Sequence, residues 1–197
     1  MNNFDLLRKE ISNCKDCKDL FSHEPRPVFR GDKNSKIFQI SQAPSQNVHN
    51  TGKSFNDLSG KKLRGEWYKI SDEDFYNPKN FYITSIAHCY PGKNKNGGDN
   101  KPPVRCADKW LRREMDSVNN KIYVIIGGYA AKYLFPDKDL TELIFHNQKL
   151  NGKLCIVMPH PSPLNVKWFK DHPEFESKRI PEIRKIVHDV LFKNNNV

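Results

Sequence analysis

Four short apolar segments are spaced widely along the chain, and each contains few polar positions. They read KIFQIS (36–41), FYITSIA (81–87), IYVIIGG (122–128) and LCIVMPH (154–160). Apolar runs of this length without strict alternation are typical of strands that are buried on both faces, as in a parallel sheet. We therefore predict four strands in a central, mostly parallel sheet.

Helical periodicity occupies the segments around and between these strands. Apolar residues recur at helical spacing in FDLLRKEISNC (4–14), CADKWLRREMDSV (106–118), a segment that starts at YAAKYLF (129–135), and the C-terminal stretch 180–191. Strands that alternate with helices predict an α/β fold, in which helices cover both faces of the sheet in a three-layer αβα arrangement.

Composition and charge narrow the class of protein. The length of 197 residues suits one globular domain, and we expect residues 1–197 to form a single one. No window approaches the ~20 apolar residues of a membrane span, and the N-terminus lacks a signal-peptide core, so we expect a cytoplasmic protein with no membrane partner. The net charge of +10 favours a nucleic-acid partner, although a lysine-rich surface alone would produce it. The asparagine-rich end, 194–197, is expected to fray.

A polar residue or a pair of glycines lies at or just after the end of each predicted strand. Gln42 follows the first strand, Ser85 lies near the end of the second, Gly127-Gly128 close the third, and His160 follows the fourth, held between two prolines. In open α/β sheets, ligands bind outside the carboxyl ends of the strands. We therefore expect these positions to converge on one pocket, with the histidine held rigidly toward it.

Two motifs resemble those of the uracil-DNA glycosylase superfamily. SQAPSQNVHNTGKSF (41–55) resembles its first motif and HPSPLN (160–165) its last, with FYITSIAHCYPG, CADKW and VIIGGYAAKYLF in matching order between them. The resemblance covers roughly residues 14–191 and is nearest to the iron–sulfur, family-four-like members and a bacterial uracil-DNA glycosylase-like branch. It implies a monofunctional DNA glycosylase of base-excision repair, which hydrolyses the N-glycosidic bond of a flipped deaminated base, above all uracil.

The resemblance assigns the central roles. His160 stands where the superfamily places the histidine that donates a hydrogen bond to the departing base, a contribution of roughly 3–4 kcal/mol. Gln42 occupies the position of the catalytic glutamine or glutamate, and Phe55 that of the ring that stacks on the flipped base. The alternatives are a histidine that caps the strand end and a phenylalanine of the core.

Two positions depart from the family pattern. Ala43 replaces the aspartate that follows the glutamine and positions water, which leaves His49 and Asp57 as substitutes. Ser85 replaces the asparagine that reads uracil, and because a hydroxyl both donates and accepts, we expect weaker or altered base selectivity, extending to deaminated purines. The missing carboxylate beside Gln42 favours the alternative function, a catalytically weak or inactive module that binds DNA or damaged bases, whereas Phe55 and His160 favour the enzyme.

Further positions are expected to contact DNA. Leu164 stands where relatives insert an apolar wedge into the duplex. Ser45 and Ser162 could donate to phosphates, and Asn165 could contact DNA or the base, or serve only in a turn. Lys167 belongs to a predicted basic rim whose other members are Lys53, Lys61, Lys62, Lys93 and Lys95. Turn capping and a solvated lysine face are the alternatives. The resemblance implies DNA as partner and a monomer.

Five cysteines in a cytoplasmic chain do not suggest disulfides. Cys155 lies in an apolar run and is predicted to be a core residue. From spacing alone, nothing forces Cys14, Cys17, Cys89 and Cys106 together. Iron–sulfur members of the superfamily place cysteines at four such positions, so the resemblance implies a structural 4Fe–4S cluster, with zinc or free thiols as alternatives. No further small-molecule cofactor is expected.

Overall fold

The central feature of the fold is a five-stranded sheet. A computed structural model describes residues 3–193, so the end expected to fray, 194–197, lies outside them. The strands are β1 (Ile37–Ser41), β2 (Phe81–Ser85), β3 (Ile122–Ile126), β4 (Gln148–Leu150) and β5 (Lys153–Met158). Their order is β2-β1-β3-β5-β4, parallel except for β4, which runs antiparallel to β5.

The four predicted strands are β1, β2, β3 and β5, and the mostly parallel α/β sheet is confirmed. The prediction of four strands is wrong by one, because β4 forms a short hairpin with β5 at the sheet edge. Asn151 and Gly152 turn this hairpin with φ of 48° and 76°, as a tight two-residue hairpin loop requires. Strand β4 has three partly exposed residues and therefore no apolar run that marks it.

Helices cover the sheet on both sides. They are α1 (Asn3–Ser12), α2 (Gln46–Thr51), α3 (Leu58–Lys61), α4 (Asp72–Tyr76), α5 (Val104–Ser117), α6 (Gly128–Leu134), α7 (Leu140–Phe145), α8 (Val166–Asp171) and α9 (Ile180–Phe192). A π-helical turn, Lys62–Tyr68, extends α3, and a second, Phe175–Arg179, leads into α9. None of the helices in residues 3–193 has the length and apolar content needed to cross a membrane.

The strands are apolar because they form the centre of the main hydrophobic core. Every residue of β1, β2 and β3 is buried, and α9 contributes Ile183, Val187 and Leu191 to the same core. Burial of such a side chain contributes roughly 1.5–3 kcal/mol. This rigid sheet fixes the positions of the loops that leave its carboxyl edge.

A smaller apolar cluster joins the N-terminal helix to the body of the protein. Leu7 and Ile11 of α1 pack with Trp110 of α5, and Cys14 and Cys106 lie against the same cluster. The pairing of α1 with α5 therefore brings the N-terminal Cys-x-x-Cys segment beside the beginning of α5.

Candidate functional site

One cavity, of about 90 Å³, opens at the carboxyl edge of the sheet. Gln42 after β1, Ser85 at the end of β2 and His160 after β5 all line it. Gly127, after β3, lies beside them with φ of 90°. A Cβ at this position would be 3.5 Å from the His160 Cβ and 3.9 Å from the Gln42 Oε1. The ends of the parallel strands thus place three polar side chains and one glycine turn around the same cavity.

Phe55 reaches the same cavity from the loop between α2 and α3, and its side chain is buried. Its φ of 55° is a left-handed conformation that a bulky residue rarely adopts, which stores strain. Arg64 Nη1 and the Tyr76 hydroxyl donate to the Phe55 carbonyl oxygen and hold this conformation. Gly60 packs so closely that a Cβ would come within 1.7 Å of that oxygen. The ring is therefore presented by a braced backbone.

His160, which lies between Pro159 and Pro161 in the chain, is partly buried. Burial lowers the pKa of His160 from its ordinary value, and the negative charge of Asp57 partly opposes this effect. The imidazole is therefore mainly neutral at pH 7, with one nitrogen that donates and one that accepts.

Asp57 supplies a carboxylate to the cavity wall. It is the N-cap of α3, and its Oδ1 accepts a hydrogen bond from the Gly60 backbone N–H at 2.9 Å. Within residues 3–193 it forms no salt bridge. Asp99 also lines the cavity, but its carboxylate is paired with the Lys93 ammonium at 2.8 Å.

His49, the other residue that the sequence offered as a substitute for the missing aspartate, is placed elsewhere. It is absent from the described residues that line the cavity, and its ring packs edge-on against His23 at 4.7 Å between centroids. The structure therefore brings Asp57, but not His49, to the same cavity as His160.

The floor of the cavity contains a pair of buried serines. The hydroxyl oxygens of Ser41 and Ser85, on paired positions of β1 and β2, lie 2.8 Å apart and share a hydrogen bond. Ser41, Val28 and Asp99 line the cavity but were missed from the sequence. Ser41 is the last residue of its strand, so the strand-end rule could have found it, whereas nothing local marks the other two.

The residues predicted to contact DNA differ in their position relative to the cavity. Ser45 lines the cavity and caps α2, accepting from the Val48 N–H. Leu164 is 92% exposed. Asn165 is not among the described residues that line the cavity. It lies in a neighbouring groove, where its Nδ2 is 3.5 Å from the His160 carbonyl oxygen.

Several of these side chains already have partners within the chain. The Ser162 hydroxyl accepts from the Leu164 N–H at 3.2 Å, which is a turn contact. Lys167 pairs with Asp171 on α8 at 2.6 Å. In the predicted basic rim, Lys62 pairs with Glu176 and Lys93 with Asp99, while the Lys53 ammonium lies 4.1 Å from the centre of the Tyr76 ring. The positive charge of the rim is thus partly compensated.

The four cysteines outside the core, Cys14, Cys17, Cys89 and Cys106, line one small apolar cavity. Burial, followed by the neighbouring thiols, raises the pKa of the Cys89 thiol to about 12. Within residues 3–193, no three His, Cys, Asp or Glu side chains are close enough to hold a single metal ion. Cys155 lies apart from them, fully buried in β5.

Nitrogen atoms of His88 and Arg105 contact two of these sulfurs. The His88 backbone N–H donates to the Cys106 Sγ at 3.4 Å, and Arg105 Nε donates to the Cys17 Sγ at 3.4 Å. The His88 imidazole lies between the Cys106 Sγ, 3.2 Å from its Nδ1, and the Glu114 carboxylate, 3.0 Å from its Nε2. Burial alone would lower the pKa of His88, but Glu114 and Cys106 raise it to about 10. No sequence signal pointed to this buried pair.

Comparison with known proteins agrees with the motifs. The model of the uracil DNA glycosylase superfamily matches residues 28–184. A type-4 uracil-DNA glycosylase of Saccharolobus solfataricus is 27% identical over 174 residues, which cover 82% of this chain and 77% of the relative. A type-5 uracil-DNA glycosylase of Pyrobaculum aerophilum is 27% identical over 193 residues, covering 83% and 84% of the two chains. A type-4 enzyme of Sulfurisphaera tokodaii is 25% identical over 190 residues, with 96% and 82% covered. The resemblance predicted from the motifs is confirmed: the chain belongs to the uracil DNA glycosylase superfamily.

Proposed function

We propose that this protein is a monofunctional DNA N-glycosylase of base-excision repair, which hydrolyses the N-glycosidic bond of a flipped deaminated base, with uracil as the foremost substrate. The observation that carries the proposal is the meeting of Phe55, Gln42 and His160 on one cavity at the carboxyl edge of the sheet. The names of the type-4 and type-5 relatives support uracil and DNA as substrate.

The first step is capture of the base outside the helix. Flipping a nucleotide requires a few kcal/mol in lost stacking and pairing. The Phe55 ring recovers part of this energy by stacking on the base, and its braced backbone keeps the ring in place. Leu164, which is almost fully exposed, enters the gap that the base leaves. Ser45, Ser162 and Lys167 contact the flanking phosphates.

Bond cleavage leaves negative charge on the departing base and cation-like character on the sugar. Neutral His160 donates a hydrogen bond to the base as that charge develops, a stabilisation of roughly 3–4 kcal/mol for a preorganised donor. Gln42 lies on the same wall and holds the base or the incoming water by its amide. Because no lysine is among the described residues that line the cavity, hydrolysis is favoured over a Schiff-base reaction that cuts the strand.

Asp57 takes the place of the aspartate that is missing after Gln42. A water molecule attacks the anomeric carbon, the carbon–nitrogen bond breaks, and the bonding electron pair leaves with the base. The proton released by the water passes to the carboxylate of Asp57, or through it to solvent. Since one of the two carboxylate oxygens caps α3, the other is available to this water.

Ser85 determines how strictly the base is read. Its hydroxyl shares a hydrogen bond with the Ser41 hydroxyl and can present either a donor or a lone pair to the base edge. Asn165, in the neighbouring groove, contributes a contact near the base or its sugar. The expected result is selectivity that extends beyond uracil to other deaminated bases.

We further propose that Cys14, Cys17, Cys89 and Cys106 bind a structural 4Fe–4S cluster. All four line one cavity, and the sulfurs of Cys17 and Cys106 accept hydrogen bonds from N–H donors, as cluster ligands commonly do. A single zinc ion would need its sulfurs about 3.8 Å apart, from Zn–S bonds of about 2.3 Å. In a cubane each thiolate binds a different iron, so wider spacing is required. Bound there, the cluster would tie α1 to α5.

Excision assays test the proposed function. Uracil, hypoxanthine and xanthine oligonucleotides, single- and double-stranded, are incubated with the wild type, His160→Ala and Phe55→Ala. We expect abasic products from the wild type and losses of about 100-fold or more for His160→Ala. A wild type that binds these oligonucleotides but releases no base would instead establish the rival function, a binding module with the same fold.

A further inference from the structure

A second concave surface adjoins the proposed catalytic cavity. Gln42 and His160, which line that cavity, also line an open groove of about 440 Å³ together with Tyr129, Asn165 and Trp168. The two spaces therefore share the side chains that are proposed to act on the base. A nucleotide held in the cavity would have its neighbour along the strand at this groove.

Tyr129 forms a ridge at the far side of the groove. It lies in the first turn of α6 and is 44% exposed, and it also lines a further groove of about 400 Å³ that contains Lys101, Pro102 and Val104. Lys132, one helical turn later, lines both grooves as well. One aromatic ring and one ammonium group thus separate two adjoining concave surfaces.

The charge and exposure of this ridge fit a nucleic-acid strand. Lys132 donates to the Pro136 carbonyl and forms no salt bridge within residues 3–193, and Lys101 is likewise exposed. Large apolar side chains that are exposed together mark interaction sites. Val104 and Tyr129 are exposed and line these grooves, and the exposed Leu164 and Val166 flank Asn165 of the first groove along the chain. Exposed aromatics beside uncompensated lysines are how proteins bind single strands.

We propose that the two grooves on either side of Tyr129 bind the unpaired DNA strand that flanks the flipped nucleotide, with one base stacked on the Tyr129 ring and phosphates beside Lys132 and Lys101. The inference rests on the proposed function and narrows its substrate: the strand must be unpaired here, since a base within a duplex cannot offer its face to the ring. Single-stranded or locally opened DNA is therefore bound more tightly than perfect duplex.

Substitution of Tyr129 tests this inference by binding alone. Affinity is measured by fluorescence anisotropy for a uracil-free single-stranded oligonucleotide and for the same sequence as duplex, with the wild type, Tyr129→Ala and Tyr129→Phe. Loss of one stacked base should weaken single-strand binding by about fivefold to 100-fold in Tyr129→Ala, whereas Tyr129→Phe keeps the ring and the affinity. Duplex affinity should change by less than about twofold, because the ring then has no base to stack on.

Two matched variants exclude trivial causes. Phe192→Ala removes an aromatic ring of similar exposure, 51%, from the distant α9, and Lys185→Gln removes an exposed positive charge from the same helix, as Lys132→Gln does at the ridge. The inference is overturned if Tyr129→Ala and Phe192→Ala bind the single strand with equal affinity. It is also overturned if Tyr129→Ala loses the same amount of affinity for the single strand and for the duplex. Failure of the proposed function is detected separately, by the excision assay, in which the wild type would release no base.

Discussion

Replacement of Asp57 by asparagine removes a charge from the cavity and almost nothing else. Asparagine has nearly the same shape and caps helices as well as aspartate does, so the Gly60 N–H keeps its acceptor and α3 keeps its first turn. The loss of a negative charge at a helix N-terminus costs about 0.3–1 kcal/mol of stability. The protein should therefore fold normally, and any large effect must come from the missing carboxylate.

The expected effect on the excision rate is much larger than the effect on stability. A carboxylate that accepts the proton of the attacking water contributes about 10²–10⁴-fold, or roughly 3–5 kcal/mol of the barrier. The pH profile should change as well. Excision requires neutral His160, so the rate falls as the pH drops through the lowered pKa of that residue. Because Asp57 partly opposes this lowering, its removal moves the acid limb to lower pH.

The assay is single-turnover excision of uracil from a single-stranded oligonucleotide, from about pH 5 to about pH 8, with thermal unfolding of each variant alongside. Asp139→Asn is the matched control, since Asp139 caps α7 through the Thr141 and Glu142 N–H groups, outside the described lining of the cavity. Equal rates for Asp57→Asn and Asp139→Asn would refute the proposed role. If Asp57→Ala is slow while Asp57→Asn is fast, the residue acts only as a cap.

Three further predictions concern the histidine, the turn beside it and the cysteines. The wild-type excision rate should fall below a pH that lies under the ordinary value of about 6.5 for histidine, and a rate that rises toward acid would contradict a neutral His160 donor. Gly127→Ala should lose about 1–3 kcal/mol of stability from its positive φ, and it should slow excision because relief of that strain shifts the turn that contacts His160. Gly97→Ala, with φ of 82° and no atom within 4 Å of the added Cβ, should show the strain without the loss of rate. Cys106→Ser should lower iron content and visible absorption after anaerobic purification, whereas Cys155→Ala should retain both. Iron-free wild-type protein that is well folded would exclude the cluster.

The elements that the sequence predicted are those with a strong local pattern, either a continuous apolar run or a helical period. The apolar runs of β1, β2, β3 and β5 and the apolar face of α9 need no long-range information, because burial on both faces or on one stripe determines which residues each element contains. Strand β4 was missed because its residues are half-exposed and pair only with a neighbour across a hairpin. Its existence depends on β5, not on its own composition.

The residues of the candidate site also form two groups: those that the sequence could place together, and those whose position only the folded structure decides. Gln42, Ser85 and His160 could be placed together from the rule that parallel strands end at one edge. The choice between Asp57 and His49 could not be made from the sequence, since both lie in the segment that follows the first strand and only folding sets which of them lines the cavity. The turn of that loop is decided by contacts with Arg64 and the packing of Gly60, which are made only after folding.

By itself the sequence determined the α/β class, the family and the positions that strand ends deliver to one rim, because these follow from short-range periodicity and from motifs of contiguous residues. Only the tertiary structure decided which carboxylate faces His160, that four distant cysteines share one cavity, and that Tyr129 stands between two grooves. Loop and helix positions of this kind depend on close packing between segments far apart in the chain. That packing is a property of the whole core and is not carried by any local stretch of sequence.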